Sequence, residues 1–313
     1  MLRRILVLAV LVHATALWVH AQSPAITIPR TWDGEAVAAR EIPPANPHWS
    51  PQHALVLSVT PLLPAQTANE TDAQARSAIA GVWSTVWTVP DHPAWKVEDS
   101  FCHLGARAVS FCPPSTRQYL RAWLADPAND SRPLSELMKE ANQVRNALLQ
   151  RLMTDAARDR RSRYDPSADP GCDAANLISL VVGSLPVAIE TRDSDVVLRY
   201  DGSSTVRTIR MSGQAAPSAD RPTLLGSSTA RWEGRSLIVE SRNVAGLTSR
   251  FLTTADGTRV VERYTVRDDG TRLELEVTID DPASFREPLV LVHARVRTPD
   301  ITLFGPLSCE ASQ

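Results

Sequence analysis

The sequence lacks the compact motifs by which a catalytic or cofactor site is recognised. With 13 glycines in 313 residues, it has no glycine-rich loop to hold a phosphate, and no nucleophile-elbow pattern surrounds Ser115, Ser227 or Ser228. The cysteines form no C-x-x-C and no C-x-x-C-H, which argues against a zinc knuckle and against covalently attached haem. We therefore assign no catalytic residue, no cofactor and no metal ligand.

The histidines offer no metal-ligand spacing either. Five follow residue 21, and these are His48, His53, His92, His103 and His293. His293 alone lies in a clear strand pattern, LVLVHARVR, where it alternates with Leu291, Arg295 and Arg297 on a mixed face. We interpret it as a structural histidine.

Two adjacent carboxylates end another strand pattern, in Asp280-Asp281-Pro282. Paired acids can hold a metal or divide acid and base roles. However, consecutive strand residues point to opposite faces, and Asp and Pro are common where a strand gives way to a turn. We interpret the pair as part of a turn.

Lysine is almost absent, since only Lys96 and Lys139 accompany the many arginines. Arginine suits carboxylate and phosphate recognition, but GC-rich codon usage is the simpler explanation. Acidic and basic residues are interspersed, and the formal net charge of −2 becomes −4 if Arg3 and Arg4 are removed with the leader. This balance argues against a nucleic-acid partner and against an anionic membrane surface.

The chain begins with a pattern typical of a secretory signal peptide. MLRR is followed by an apolar run from Ile5 to Val19, and Val19-His20-Ala21 supplies a small-x-small cleavage site. The run is too short to indicate a membrane span, and no later segment approaches 18 uninterrupted apolar residues. We predict a signal peptide over residues 1–21 and a soluble mature protein that is exported, either periplasmic or extracellular.

An exported chain with four cysteines predicts two disulfides. Three connectivities are possible, and we favour Cys102–Cys112, which closes a short loop, with Cys172–Cys309, which joins the two ends of the C-terminal half.

The remaining chain divides into an arm and one domain. Residues 22–75 are proline-rich and predict an N-terminal arm, because proline removes backbone donors and favours extended neighbours. Residues 76–313 predict a single β domain with a helical insertion at about 115–162, where apolar residues recur at intervals of three and four.

After Cys172 the sequence reads as a series of strands. RLELEVTID alternates apolar and polar residues strictly, which is typical of an antiparallel sheet with one buried face. ARWEGRSLIVES predicts a hairpin that turns at Glu233-Gly234, and Asp-Gly pairs separate several other strands. Because many consecutive strands must hide two edges, the fold class we predict is mainly β, an antiparallel β-meander closing to a barrel or a strongly curled sheet. The candidate strands are PVAIET, DVVLRY, TVRTIRM, STARWEG, RSLIVES, TRVVERYTVR, TRLELEVTID and PLVLVHARVR.

The same segments carry a resemblance. ARWEGRSLIVES, VERY, VTIDDP and the late Cys309-Glu310 resemble an uncharacterised family of secreted bacterial β-rich proteins, over about residues 170–313. The resemblance implies a fold and an exported location but no activity. This chain departs from the pattern at Gly226-Ser227-Ser228, where the family tends to have Gly-His-Ser. Gly81-Val82-Trp83 is also similar to the Gly-x-Trp of lipocalin-like barrels, in which the tryptophan packs across one end.

These observations favour non-catalytic binding of a small, partly apolar ligand inside a barrel. We nominate Trp83, Trp87 and Trp232 as ligand-binding residues, although large aromatics are also common in cores. One alternative is an enzyme of the barrel interior with Glu262, Tyr264 or His293 as acid–base groups, which requires inward-facing ionisable residues close together. The other is an interaction protein whose arm and helix dock on a partner, which requires an exposed apolar patch along the helix.

Overall fold

The computed structural model describes the larger part of the predicted β domain and of its helical insertion. The predicted signal peptide, Trp87 and the cysteines at 102, 172 and 309 lie outside the described residues. The residues that it describes are 26–28, 40–42, 72–85, 112–129, 132, 134–165, 176–183, 185–211, 221–249, 252–267 and 270–303.

Nine strands form a closed barrel, which confirms the predicted fold class. Around the barrel the strands follow the order β10-β11-β3-β4-β5-β6-β7-β8-β9. Two further strands, β1 (Ile26–Ile28) and β2 (Arg40–Ile42), form a separate antiparallel pair. The barrel strands are β3 (Gly81–Ser84), β4 (Val187–Thr191), β5 (Asp195–Tyr200), β6 (Val206–Met211), β7 (Ser227–Glu233), β8 (Ser236–Val244), β9 (Thr258–Arg267), β10 (Arg272–Asp280) and β11 (Leu289–Arg297).

The predicted alternation fixes which side chains face inward. In β10, Leu273, Leu275, Val277 and Ile279 are buried, while Glu276 faces solvent. The antiparallel registers then extend the inward face to the neighbouring strands, because partners that lie opposite each other point to the same side. The barrel interior is therefore assembled from alternate residues of each strand.

One pair of strands departs from the predicted antiparallel meander. β6 and β7 are parallel, with Arg210 opposite Thr229 and Met211 opposite Ala230. A parallel neighbour requires the chain to cross back along the barrel, and the connection over residues 212–226 is long enough to do so. The sequence shows no helix there, and for that reason the expectation of antiparallel pairing throughout was wrong at this position.

In the described part of the chain, the helical insertion contains three helices, with one short helix before it and one after it. Helix α3 packs the apolar face of its C-terminal part, including Leu149 and Leu152, against the core that the barrel forms. Cys112, just before α2, makes an isolated antiparallel bridge to Val292 of β11. The five helices are α1 (Asp72–Ser77), α2 (Pro114–Ala125), α3 (Leu134–Leu152), α4 (Asp155–Ser162) and α5 (Leu177–Val182), with a 3-10 turn at Pro127–Asn129.

The registers distinguish two ends of the barrel. We call one the hairpin end, because β4 and β5, β7 and β8, and β9 and β10 are each joined there by a short connection. We call the other the loop end, which carries the connections 201–205, 245–257 and 281–288. Helix α5 lies at the loop end, since its Leu177 amide donates to the carbonyl of Leu224 at 2.8 Å.

Candidate functional site

A cluster of polar side chains lies inside the barrel, with Glu262 at its centre. Glu262 and Tyr264 share the inward face of β9 with buried Val260 and Val266. Arg207 reaches the cluster from β6. Each of these side chains points inward because it occupies the same alternate register as its buried aliphatic neighbours.

The hydrogen bonds of the cluster are convergent. Arg207 binds Glu262 with both terminal nitrogens, Nη2 to Oε1 at 2.7 Å and Nη1 to Oε2 at 3.0 Å. The hydroxyl of Tyr264 also donates to Oε2. Arg207 Nη1 donates in addition to the hydroxyl oxygen of Tyr200 on β5, at 2.9 Å. Both carboxylate oxygens of Glu262 are thus occupied by donors from this chain.

The two charged members are almost completely removed from solvent. Their side chains are 2% exposed for Arg207 and 0% for Glu262. A buried ion pair is tolerated only when its geometry is good and its remaining hydrogen-bonding groups are satisfied, and the two-point contact with added tyrosine hydroxyls provides this. Ser241 of β8 extends the network, as it lies 3.4 Å from Arg207 Nη2 and 2.7 Å from the hydroxyl of Ser228.

Burial and the neighbouring groups together set the protonation of the cluster. Burial is the largest influence on the pKa of Arg207 and lowers it, but the charge and hydrogen bonds of Glu262 together with the neighbouring tyrosines outweigh burial and hold that pKa well above its ordinary value. Burial, reinforced by the charge of Glu262, raises the pKa of Tyr264 well above its ordinary value. Burial likewise raises the pKa of Tyr200. At neutral pH the arginine is therefore a cation and both tyrosines are neutral.

Strand β11 contributes a second group of inward-facing polar side chains. Because Leu273 of β10 lies opposite Arg295, and Leu275 lies opposite His293, both polar residues share the interior face. His293 Nε2 lies 3.1 Å from the carbonyl oxygen of Val181 in α5. That contact with α5 is consistent with the structural role interpreted for the histidine.

Arg295 is fully buried and is bound by backbone carbonyls. Its Nη1 donates to Leu185 O at 2.6 Å and its Nη2 to Gly183 O at 2.9 Å, both in the segment that follows α5. Among the described residues, no carboxylate forms an ion pair with it. Burial lowers its pKa to about 10, so the guanidinium still carries its positive charge at neutral pH.

Trp83 lies at the hairpin end of the barrel, opposite Arg297, the last residue of β11. Its ring is completely buried, its Nε1 donates to Ile79 O at 2.8 Å, and the guanidinium of Arg297 lies 4.4 Å above the ring centroid. Arg297 also donates to the carbonyl oxygens of Ala78 and Ala80, which lie between α1 and β3. This one arginine therefore holds the chain that precedes β3 against β11.

Gly81 permits this close approach. It has φ of +136°, and a Cβ at this position would lie 2.6 Å from Arg297 Nη1. The Gly-x-Trp pattern noted in the sequence therefore has a local physical reason.

The remaining nominated residues lie apart from the polar cluster. Trp232 is partly buried towards the hairpin end, with the guanidinium of Arg76 at 5.5 Å from its ring centroid. Cys112 is buried and disulfide-bonded, but its partner lies outside the described residues, so the connectivity stays a prediction. The binding roles of the tryptophans also stay predictions.

The side chains of Asp280 and Asp281 have different partners, as the interpretation of this pair as part of a turn requires. Asp281 accepts hydrogen bonds from the amides of Ala255, Ala283 and Ser284, which fixes the turn after β10. Asp280 points the other way and lies 3.5 Å from Arg259 Nη1. Within the described parts of the chain, no three histidine, cysteine or acidic side chains are grouped so that they could hold a metal ion.

Sequence reasoning named Glu262, Tyr264 and His293 as possible interior groups but missed Arg207 and Tyr200. A usable signal was present, because Arg207 stands in the same alternate register as Ile209, and Tyr200 in the same register as Leu198. A charged or phenolic residue in the apolar register of a strand predicts a buried polar contact.

No protein-family model matches this chain, and no curated protein matches it. The resemblance to secreted bacterial β-rich proteins therefore stays a prediction. No helix in the described part of the chain is long and apolar enough to cross a membrane.

Proposed function

We propose that this protein is an exported barrel that binds a small, partly apolar molecule without catalysis. The observation that carries the proposal is a closed barrel in which one compact polar cluster is set among aliphatic side chains. Binding sites for small molecules commonly combine an apolar lining with a few convergent polar groups that fix orientation. Barrels of about this size can hold one such molecule.

The state of Glu262 favours binding over acid–base chemistry. A general base needs a lone pair directed at substrate, whereas both oxygens of Glu262 already accept hydrogen bonds from Arg207 and Tyr264. The tyrosines have raised pKa values, so they are poor bases and nucleophiles near neutral pH. The cluster is better suited to present fixed hydroxyl and guanidinium groups.

An enzyme of the barrel interior is the second candidate, and one observation supports it. Inward-facing ionisable residues lie close together with shifted pKa values, a combination common at catalytic sites. Structural ion pairs produce the same combination, and the occupied carboxylate makes that explanation the simpler one here.

The proposal that the helices form a docking surface has less support. It calls for an exposed apolar face on the long helix, but Ala141, Leu149 and Leu152 of α3 are buried. The apolar surface of this part of α3 is thus already covered by the chain itself.

Native mass spectrometry of the processed full-length protein, purified from its own exporting host, tests the proposed function. We expect a mass excess under gentle conditions that disappears on denaturation. Tryptophan fluorescence of the stripped protein should then respond to a panel of lipophilic compounds. If the protein carries no bound molecule and its fluorescence ignores the whole panel, the proposed function is wrong.

A further inference from the structure

We propose that the molecule bound inside the barrel carries a single carboxylate and that Arg295 binds it. This inference rests on the proposed function and specifies its ligand class. It follows from the charge balance of the interior, from the bonding of Arg295 and from the surface around it.

Two arginines lie almost fully buried on the inward faces of the described barrel strands, Arg207 and Arg295. Glu262 neutralises Arg207 through a two-point contact, whereas no carboxylate among the described residues forms an ion pair with Arg295, which is 1% exposed. An isolated buried charge costs a great deal of free energy unless it is paired. One anionic group on a ligand would supply the missing charge.

The present hydrogen-bond acceptors of Arg295 carry no charge, so a ligand carboxylate could replace them. Its two terminal nitrogens donate to backbone carbonyls of Gly183 and Leu185, which are neutral acceptors. A carboxylate accepts the same pair of hydrogen bonds in a planar two-point arrangement, and it also supplies the opposite charge that the carbonyls lack. A ligand carboxylate is therefore a better partner for this guanidinium than the carbonyls it now contacts.

Two tyrosines share this interior. Tyr264 of β9 lies opposite Leu275 of β10, which in turn lies opposite His293 of β11, and the hydroxyl of Tyr200 lies beside Arg207. Since burial keeps both phenols protonated at neutral pH, neither carries a negative charge that would repel an anion, and the hydroxyl proton of Tyr264 is already donated to Glu262. The local environment thus favours a negative group over a positive one.

Exposed hydrophobic side chains at the loop end indicate that the ligand has an apolar part. Among the described residues, the exposed large hydrophobic side chains are Leu185 at 45%, Val206 at 50% and Leu224 at 45%, and all three lie at the loop end. Leu185 provides a carbonyl that Arg295 binds, and Leu224 accepts a hydrogen bond from α5. Exposed apolar side chains therefore lie near the segment after α5, whose carbonyls bind the buried Arg295. From this we infer that the carboxylate carries an aliphatic tail.

A matched pair of probes tests the inference on the unmodified full-length protein. Decanoate and methyl decanoate share their chain but differ in charge, and isothermal titration calorimetry measures both. We expect decanoate to bind at least about tenfold more tightly, since a hydrogen bond to a charged group contributes enough free energy for that factor. Equal affinities would overturn the inference while leaving the proposed function standing. Binding of neither probe, together with no response to the lipophilic panel, would overturn both.

Variants locate the charge that is responsible. Arg295→Gln should lose most of the preference for decanoate and keep its affinity for the ester, whereas Arg295→Lys should retain part of the preference. Arg231→Gln is the control, because it removes an equal charge from the exposed outer face of β7, where Arg231 binds Glu233. An unchanged preference in Arg295→Gln would overturn the assignment to this residue.

A second readout does not require a folded variant. With carboxyl-labelled decanoate bound to the wild-type protein, the carbon-13 shift follows ionisation of the ligand. We expect the pKa of the bound carboxyl to fall below that of free decanoate, because a buried cation favours the anionic form. A pKa that rises on binding would show that the carboxyl meets only an apolar environment, and it would overturn the inference.

Discussion

Replacing Glu262 with methionine should destabilise the protein severely, because it leaves the guanidinium of Arg207 buried without a counter-charge. Removing one partner of a buried ion pair costs about 3–5 kcal/mol. In this barrel the change also removes the acceptor to which Tyr264 donates. Against a typical total stability of about 5–15 kcal/mol, the loss is easily measured.

The double variant Arg207→Met/Glu262→Met separates charge from packing. It removes both charges, so its loss should be clearly smaller than the sum of the losses in Arg207→Met and Glu262→Met. The remaining loss should come from the hydroxyls of Tyr200 and Tyr264, which no longer have their partner. A coupling free energy of about 2 kcal/mol or more between the two positions is expected.

Urea unfolding followed by tryptophan fluorescence measures these free energies. Arg263→Met is the matched control, because Arg263 neighbours Glu262 on β9 but faces outward to Glu233 at 2.8 Å, with side chains 42% and 39% exposed. An exposed pair contributes at most about 1 kcal/mol. A loss in Glu262→Met as small as that of the control would refute the reasoning, since the interior pair would then have to be solvated.

Two further predictions concern the hairpin end and alkaline pH. Gly81→Ala should lower the midpoint of thermal unfolding more than Gly234→Ala does. Both glycines have positive φ, but only at Gly81 would the new methyl group collide with Arg297. Equal shifts of the midpoint would contradict a role for the collision. Burial raises the pKa of Tyr119, to about 12, and also those of Tyr200 and Tyr264, whereas a tyrosine in the unfolded chain ionises near pH ~10. The stability that these tyrosines contribute is therefore fully present below that pH and is lost as pH rises through their folded-state pKa values. In a pH titration, the tyrosinate absorbance of the folded protein should rise at higher pH than that of the urea-unfolded protein. Coincident titration curves would contradict the raised pKa values of these tyrosines.

The strand pattern could be predicted because period-two alternation is a local property. RLELEVTID and ARWEGRSLIVES each contain, within about ten residues, the information that separates an inward face from an outward one. The hairpin turn at Gly234 is local in the same sense, and its φ of +55° is one that glycine adopts without strain. These elements appear in the structure where the sequence placed them.

The polar cluster depends instead on contacts between distant strands. Arg207 and Glu262 come together only because β6 and β9 face each other across a closed interior, and no local pattern specifies that distance. The parallel pairing of β6 with β7 was missed for a related reason, since the sequence between them carries no helical pattern that would predict a crossover. Arg295 was noted only as a neighbour of His293, because alternation alone could not tell whether their mixed face was inside or outside.

The position of β3 bears on how the chain completes its fold. This strand comes early in the sequence, yet its neighbours in the barrel are β4 and the last strand, β11. Arg297, at the end of β11, then reaches back to Ala78 and Ala80 ahead of β3. Contacts between such distant parts of a chain form slowly, because a large loop must close before they can contribute. The barrel therefore closes only when β11 pairs with β3. Before that pairing forms, the edge of β3 that faces β11 in the native barrel has no partner strand.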